Sequence, residues 1–443
     1  MLLNFSFDNW MSYYEKNNFS MIATRERQHN GRIPRIKKYD MRVLPISAIY
    51  GGNASGKTNF CFALKFVKKM IVSGTGSQSD KLINIEPFRL DKKAAQMPSR
   101  FSMDLLIDET IYQFSFAVTR SKVVEEKLVK ITSTSEVVLY NRQNDKPNFD
   151  QSLKHDEALK YAFKGTRDNQ LFLTNSVSQK IDTFRPIYEW FKDKLVLVAP
   201  DDRFQAYDSF IDEKDPLYIT MNEILPLLDT GVIELEGESI LLENAAIPDK
   251  LKEDLKENVS EDNPILVMSP AEHKWYTVSV EDGEFIAKKL VTYHDNAEGG
   301  KTKFEIFHES DGTRRVLDLL PAILDLTDGE SGKVYIIDEI DRSLHTLLSK
   351  QLIQYYLSNC SESSRSQLVM TTHDLLLMNQ DLLRRDEMWV TERSRDGKTS
   401  MYSFSEFKDV RYDKDIRKSY MQGRLGGIPR VLLDSYAVCR EVE

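Results

Sequence analysis

Tyr50-Gly51-Gly52-Asn53-Ala54-Ser55-Gly56-Lys57-Thr58-Asn59 decides how the rest of the chain is read. From Gly51 to Thr58 it fits the pattern G-x-x-x-x-G-K-[ST], and its flanks have the character that pattern requires. Before it, residues 44–50 (LPISAIY) form a short apolar run, read as a strand. After it, Phe60, Ala63, Leu64, Val67, Met70 and Ile71 recur at helical spacing over residues 59–72. Glycines let the backbone from Gly51 through Asn53, Ala54 and Ser55 to Gly56 curl until successive N–H groups face phosphate oxygens. The following helix aims its positive end at the same charge. Lys57 is expected to reach the β- and γ-phosphates, and Thr58 to offer its hydroxyl to Mg²⁺. With no Asn-Lys-x-Asp guanine motif in the chain, ATP with Mg²⁺ is the expected ligand, though GTP stays open.

Working outward, Lys333-Val334-Tyr335-Ile336-Ile337-Asp338-Glu339 is a hydrophobic strand that ends in two acids. Beside a phosphate loop, Asp338 is placed to hold Mg²⁺ through water and Glu339 to polarise an attacking water. Taken alone, a strand followed by an acidic helix cap is common. Residues 367–371 are a second buried-strand candidate, followed by Thr372-His373-Asp374; His373 is a candidate γ-phosphate contact or, more plainly, a capping histidine. Ser310-Asp311-Gly312-Thr313 opens a helix carrying Val316, Leu317, Leu319, Leu320, Ile323 and Leu324, with Pro321 expected to bend it.

The chain has 443 residues, 41% hydrophobic and 29% charged, with net charge −9. That balance supports neither a general nucleic-acid binder nor an anionic-membrane binder. Residues 25–38 (RERQHNGRIPRIKK) and 122–130 (KVVEEKLVK) are local basic stretches, read as solvated. Cys61, Cys360 and Cys439 have no metal-ligand spacing, which fits a reducing compartment. No apolar run approaches the roughly 18 residues a membrane helix needs, and MLLNFSFDNW lacks the layout of a signal peptide. A cytoplasmic protein is expected.

Residues 101–118 alternate apolar and polar side chains on either side of Asp108-Glu109, predicting an antiparallel hairpin. Residues 200–290 are mixed and highly charged, with a helical segment at 249–258. A helix is expected over 343–357. Residues 73–80, 294–303, 328–332 and 358–366 read as flexible loops. The fold class expected is α/β: a mainly parallel core sheet, an antiparallel β subdomain and a helical or mixed insertion. The expected divisions are 1–199, 200–295 and 296–443.

The large separation of Asp338 from Lys57, with Ser310 to Thr313 shortly before Asp338, resembles ABC-type ATPases. The resemblance is to stand-alone members related to the RecF, SMC and OLD families, and within these to RloA/AbiL-like proteins of restriction and abortive-infection loci. Phe5-Ser6-Phe7-Asp8-Asn9-Trp10, the phosphate loop with its trailing Asn59, Glu309-Ser310-Asp311-Gly312-Thr313-Arg314-Arg315, Ile337-Asp338-Glu339-Ile340-Asp341, Thr372-His373-Asp374 and Gly423-Arg424-Leu425-Gly426-Gly427-Ile428-Pro429 have counterparts there. The resemblance implies a head-to-tail homodimer or higher oligomer, in which Ser310 and Gly312 of one copy meet the nucleotide held by the other. It implies catalytic roles for Lys57, Glu339 and His373, and Asp341 as a cross-dimer contact. Gln179 is a candidate Q-loop glutamine or simply part of a polar loop; His345 is a candidate contact or a helix-surface residue. The heptads of the SMC branch are absent, and too few residues follow His373 for an OLD nuclease domain, so a separate effector protein is implied. A RecF-like DNA-repair ATPase is the alternative.

Overall fold

A computed structural model describes residues 1–75, 81–143, 146–200, 215–260, 264–269, 275–328, 331–407 and 415–428. The chain divides into two compact units. One comprises Met1–Pro200, Asp328–Ile340 and Leu357–Glu443; the other comprises Asp201–Thr327 and Asp341–Tyr356.

The first unit is built on a six-stranded sheet in the order Leu195–Val198, Val334–Ile337, Gln367–Thr371, Ile46–Tyr50, Met388–Arg393, Thr399–Ser403. The first five run parallel and the last antiparallel to its neighbour. Three central strands, Val334–Ile337, Gln367–Thr371 and Ile46–Tyr50, are buried at every residue. Strands covered on both faces read as continuous apolar runs, which is why all three stand out in the sequence.

Its second layer is a seven-stranded antiparallel sheet that includes the expected hairpin, Ser99–Ile107 and Thr110–Val118. Asp108 and Glu109 both take positive φ, the twist a two-residue hairpin turn requires. The opening strand Leu2–Asp8 pairs with Ser99–Ile107. Helix Lys57–Val72 buries Phe60, Ala63, Leu64, Val67, Met70 and Ile71, the stripe seen in the sequence. Phe60 meets Phe19, Phe5 and Phe7 of the antiparallel sheet, with ring centroids 5.0, 5.8 and 6.1 Å apart. Gln367, fully buried, joins the two sheets. Its carbonyl accepts from Leu2 N–H at 2.6 Å, and its amide donates to the Leu2 and Leu44 carbonyls at 3.0 and 3.1 Å. A buried amide in a sheet interior is tolerable because every polar atom is satisfied.

The second unit is chiefly antiparallel sheet. Glu284–Asp295 pairs with Glu234–Leu241, with Trp275–Glu281 and with Lys301–Glu305, and Ile265–Met268 completes the five. Leu242, Ile247, Leu255, Tyr276 and Val278 form its core. Helix Asp249–Asn258 has the expected bounds. The loop expected at 294–303 is instead a hairpin: strands run in to Asp295 and out from Lys301, leaving a turn closed by Gly300 N–H donating to the Asn296 side-chain oxygen at 2.8 Å. Charge hid those strands. Lys303 pairs with Glu238 across the sheet at 3.2 Å, and Lys301 with Glu234. Of the other expected loops, residues 76–80 and 329–330 lie outside the described residues. Helix Asp311–Thr327 runs through a buried Pro321, and Thr346–Ser358 supplies the helix expected at 343–357.

Candidate active site

In the first unit, the phosphate loop joins strand Ile46–Tyr50 to helix Lys57–Val72. Gly56 has φ +115°, and a Cβ there would lie 2.7 Å from Thr399 Cγ2. Only glycine meets both conditions. Ala54 takes φ +58° without that freedom, a strained position of the kind found at ligand sites. Neighbouring strands pin the loop. Thr391 Oγ1 lies 2.7 Å from Ser55 Oγ, and Thr399 Oγ1 donates to the Ser55 carbonyl at 2.9 Å. Asn59 is tied into the fold: its amide donates to Ser12 Oγ at 2.8 Å, and its carbonyl accepts from Trp10 Nε1 at 2.8 Å. Gly52 N–H donates to the carbonyl of Gly427 at 3.1 Å. Asn53 is exposed and Thr58 half-buried.

Lys57 is buried, and its ammonium donates to the carbonyls of Gly51 at 2.8 Å and Gly52 at 3.2 Å. It also lies 3.5 Å from His373 Nδ1. An ammonium can only donate, so this contact favours a lone pair on Nδ1 and a proton on Nε2. Nε2 lies 3.9 Å from Glu339 Oε1, longer than a hydrogen bond, so the carboxylate is not locked to the ring. Lys57, His373 and Glu339 thus stand in a row.

The two acids are set by one hydroxyl. Thr371 Oγ1 donates to Asp338 Oδ1 at 2.5 Å and accepts from Glu339 N–H at 2.8 Å. Asp338 N–H donates to the Val198 carbonyl and Ile340 N–H to that of Thr371, at 2.9 and 3.1 Å. Glu339 itself takes φ +50°, an outlier for a non-glycine residue, which turns its side chain out of the strand direction. Cys61, one helical turn after Lys57, lies close to Asp338; burial first, then this carboxylate, push its thiol well above the ordinary range. Sequence reading missed both partners. Thr371 could have been found, since it ends the strand beside the acids, but nothing in the sequence aims Cys61 at Asp338.

The donors near the loop are a carboxylate (Asp338) and a hydroxyl (Thr58). Hard oxygen donors in small number suit Mg²⁺, which keeps several waters and needs no protein cage. Among the described residues, no group of three or more His, Cys, Asp and Glu side chains could hold a metal ion.

Ser310 and Gly312 belong to the second unit. Ser310 Oγ accepts from Thr313 N–H at 3.0 Å, capping helix Asp311–Thr327 while its residue stays exposed. The preceding Glu309 is buried, with His294 Nε2 at 2.7 Å and the Thr292 hydroxyl on the same oxygen. A Cβ on Gly312 would come within 2.8 Å of the Ser343 carbonyl, so the helix start packs closely on the turn after Asp341. His345 caps the next helix, its Nδ1 accepting from Leu347 N–H at 3.3 Å. Gln179 is exposed at the end of helix Phe172–Ser178, whose first N–H groups bind the buried Glu126 carboxylate.

Several residues of the basic stretch 25–38 are engaged within the fold. Arg32 pairs with Glu387 at 2.6 Å, Arg35 with Asp40 at 3.1 Å, and Lys38 donates to the Glu109 carbonyl at 2.7 Å. Residues 123–131 are a sheet strand. Among the described residues no helix is long and apolar enough to cross a membrane.

A phosphate loop between a buried parallel strand and a helix, with paired acids at the end of a strand two places along the same sheet, defines a P-loop nucleotide-binding fold. The chain belongs to the family described as "AAA domain, putative AbiEii toxin, Type IV TA system", whose profile matches residues 46–379. No curated protein matches it. Among solved structures it is similar to an SMC head domain from Thermotoga maritima, at 12% identity, TM-score 0.38, over 91% of this chain and 98% of that one. It is also similar to an SMC head bound to the C-terminal winged-helix domain of ScpA, at 14% identity, TM-score 0.40, over 91% and 97%.

Proposed function

We propose that this protein binds and hydrolyses ATP as a molecular switch, two copies closing head to tail over the nucleotide. The row Lys57–His373–Glu339 beside Asp338 carries this reading. Lys57, already inside the loop, exchanges its Gly51 and Gly52 carbonyls for phosphate oxygens. Backbone N–H groups from Asn53 to Thr58 cradle the phosphates. Glu339, aimed off the strand, orients the attacking water, and His373 donates from Nε2 toward the γ-phosphate. Thr58 and Asp338 would hold Mg²⁺, which when bound neutralises charge on the β- and γ-phosphates. Ser310 and the helix start at Gly312 serve the nucleotide of the other copy, so that closure depends on contacts made only while the γ-phosphate is present.

Three variants test this. Lys57→Ala should lower ATP affinity at least 100-fold (about 3 kcal/mol or more). Glu339→Gln should keep binding but lose hydrolysis by about 10²–10⁴, accumulating as an ATP-dependent dimer in light scattering. If Glu339→Gln turns over ATP like the parent, the assignment fails. A Ser310→Arg variant that still dimerises with ATP would remove the head-to-tail arrangement.

We place the switch in the cytoplasm, acting in anti-phage defence through a separate effector. Supporting this are the resemblance to abortive-infection proteins and the toxin–antitoxin wording of the family's description. Phage challenge of cells carrying the gene with its neighbours tests it; plating efficiency equal to that of Lys57→Ala cells would count against it. The RecF-like DNA-binding alternative gains no specific support: the net charge is −9, and Arg32 is tied to the buried Glu387.

A further inference from the structure

We infer that residues 415–428 are a working part of the nucleotide site: a strap whose Gly427 carbonyl holds the entrance of the phosphate loop. The inference rests on the ATP-binding reading above and adds a positioning element to it.

The strap begins with helix Ile416–Met421, capped by Asp415, whose carboxylate accepts from Lys418 N–H at 3.0 Å. The chain then turns back. Gly423 N–H donates to the Tyr420 carbonyl at 2.8 Å and Arg424 N–H to that of Ser419 at 3.2 Å. From Leu425 to Gly427 the strap lies against strands Met388–Arg393 and Thr399–Ser403 of the six-stranded sheet. Leu425 is buried, and its carbonyl accepts from Tyr402 OH at 3.0 Å. Gly426 and Gly427 both have positive φ, +66° and +70°. A Cβ on Gly426 would fall 2.0 Å from Tyr402 OH, and one on Gly427 would fall 2.3 Å from Val390 Cγ1. Two adjacent positions therefore accept only glycine, for conformation and for space.

That close approach delivers one backbone atom. The Gly427 carbonyl accepts from Tyr420 OH at 2.8 Å and from Gly52 N–H at 3.1 Å. Gly52 is the second residue of the phosphate loop, so its N–H is turned to the strap and not to a phosphate. The far side of the loop is held from the same strand the strap covers: Thr391 lies between Val390 and Glu392 and contacts Ser55. The loop is thus gripped at Gly52 by the strap and at Ser55 by the strand. A phosphate cradle works by pre-aimed N–H groups, so fixing its backbone before the ligand arrives removes an ordering cost from binding. Without the strap, Gly52 N–H loses its partner and the loop entrance loosens.

The test uses the full-length protein, with mant-ATP titration, ATPase kinetics and thermal melts without nucleotide. Gly427→Ala displaces the carbonyl; Tyr420→Phe removes only the hydroxyl that orients it. Expected are mant-ATP dissociation constants about tenfold higher for Gly427→Ala and about threefold higher for Tyr420→Phe. KM for ATP should rise with kcat within about twofold, and Tyr420→Phe should keep its nucleotide-free melting point within about 2 °C of the parent, whereas Gly427→Ala also loses stability because its Cβ meets Val390. Parent-like affinity in both variants overturns the strap's role, as does an affinity loss in Tyr420→Phe that tracks an equal loss of nucleotide-free stability. If Gly427→Ala does not fold, parent-like affinity in Tyr420→Phe is by itself enough to overturn it. Failure of the parent protein to bind mant-ATP would overturn the ATP-binding reading and the strap with it.

Discussion

The nucleotide-site unit buries its polar groups at isolated nodes, whereas the sheet of the second unit spreads its charges along the surface in ladders. Gln367, Thr371, Arg384 and Glu387 are each almost wholly buried and each bonds to specific partners. Lys289, by contrast, shares Glu238 at 3.3 Å and Glu305 at 2.8 Å, and Glu238 is shared again by Lys303. A buried node leaves a full desolvation penalty when one partner goes. A ladder rung is replaced by water and by the neighbouring charge. The same chemical change should therefore matter greatly in one unit and little in the other.

The largest effect belongs to packing between the sheets. Phe60 is wholly buried among Phe5, Phe7 and Phe19. Phe60→Ala should cost about 4 kcal/mol, read from urea denaturation. A cost below about 1.5 kcal/mol would mean the layers are not joined through this helix.

Next comes a pH effect. Burial raises the Glu387 carboxyl from 4.5 to about 7, against the pull of Arg32, and its Oε1 has no hydrogen-bond partner among the described residues. The folded state therefore binds this proton more tightly than the unfolded chain. Its contribution is fully present below pH 4.5 and is lost as pH rises through 7, by about 3 kcal/mol in all. Glu387→Gln cannot titrate. The stability difference, variant minus parent, should rise between pH 5 and 8; a flat difference would show that Glu387 is ionised throughout.

Thr371→Val ranks third. It keeps the shape but strips Asp338 of a donor and Glu339 N–H of its acceptor, for about 2 kcal/mol. ATP turnover should fall by more than binding does, because the residue sets Glu339. Equal losses in turnover and affinity would show that Thr371 supports the loop as a whole.

The same contrast explains which parts of the fold are legible in the sequence. Strands at 46–50, 334–337 and 367–371 are legible because burial on both faces leaves unbroken apolar runs, and Lys57, Asp338, Glu339 and His373 sit at their ends. The strand at 301–305 is not legible: Lys301 and Lys303 look like loop residues until Glu234 and Glu238 stand opposite them. Long-range partners are equally hidden. Gly427 lies 375 residues from Gly52 in sequence, and no local pattern announces that its carbonyl ends at the phosphate loop.

The smallest effect is the sharpest test of the contrast. Lys303 is about half exposed and meets Glu238, which Lys289 also contacts. Removing Lys303 leaves Glu238 a cation and open water, and restores rotamer freedom to a long side chain. Lys303→Ala should change stability by no more than about 0.5 kcal/mol, whereas Lys289→Ala, at a position only 14% exposed and shared by Glu238 and Glu305, should cost more, about 1 kcal/mol. Neither should alter nucleotide affinity. If Lys303→Ala matched Thr371→Val in cost, the ladder would be acting as a buried network, and the distinction between the two units would fall.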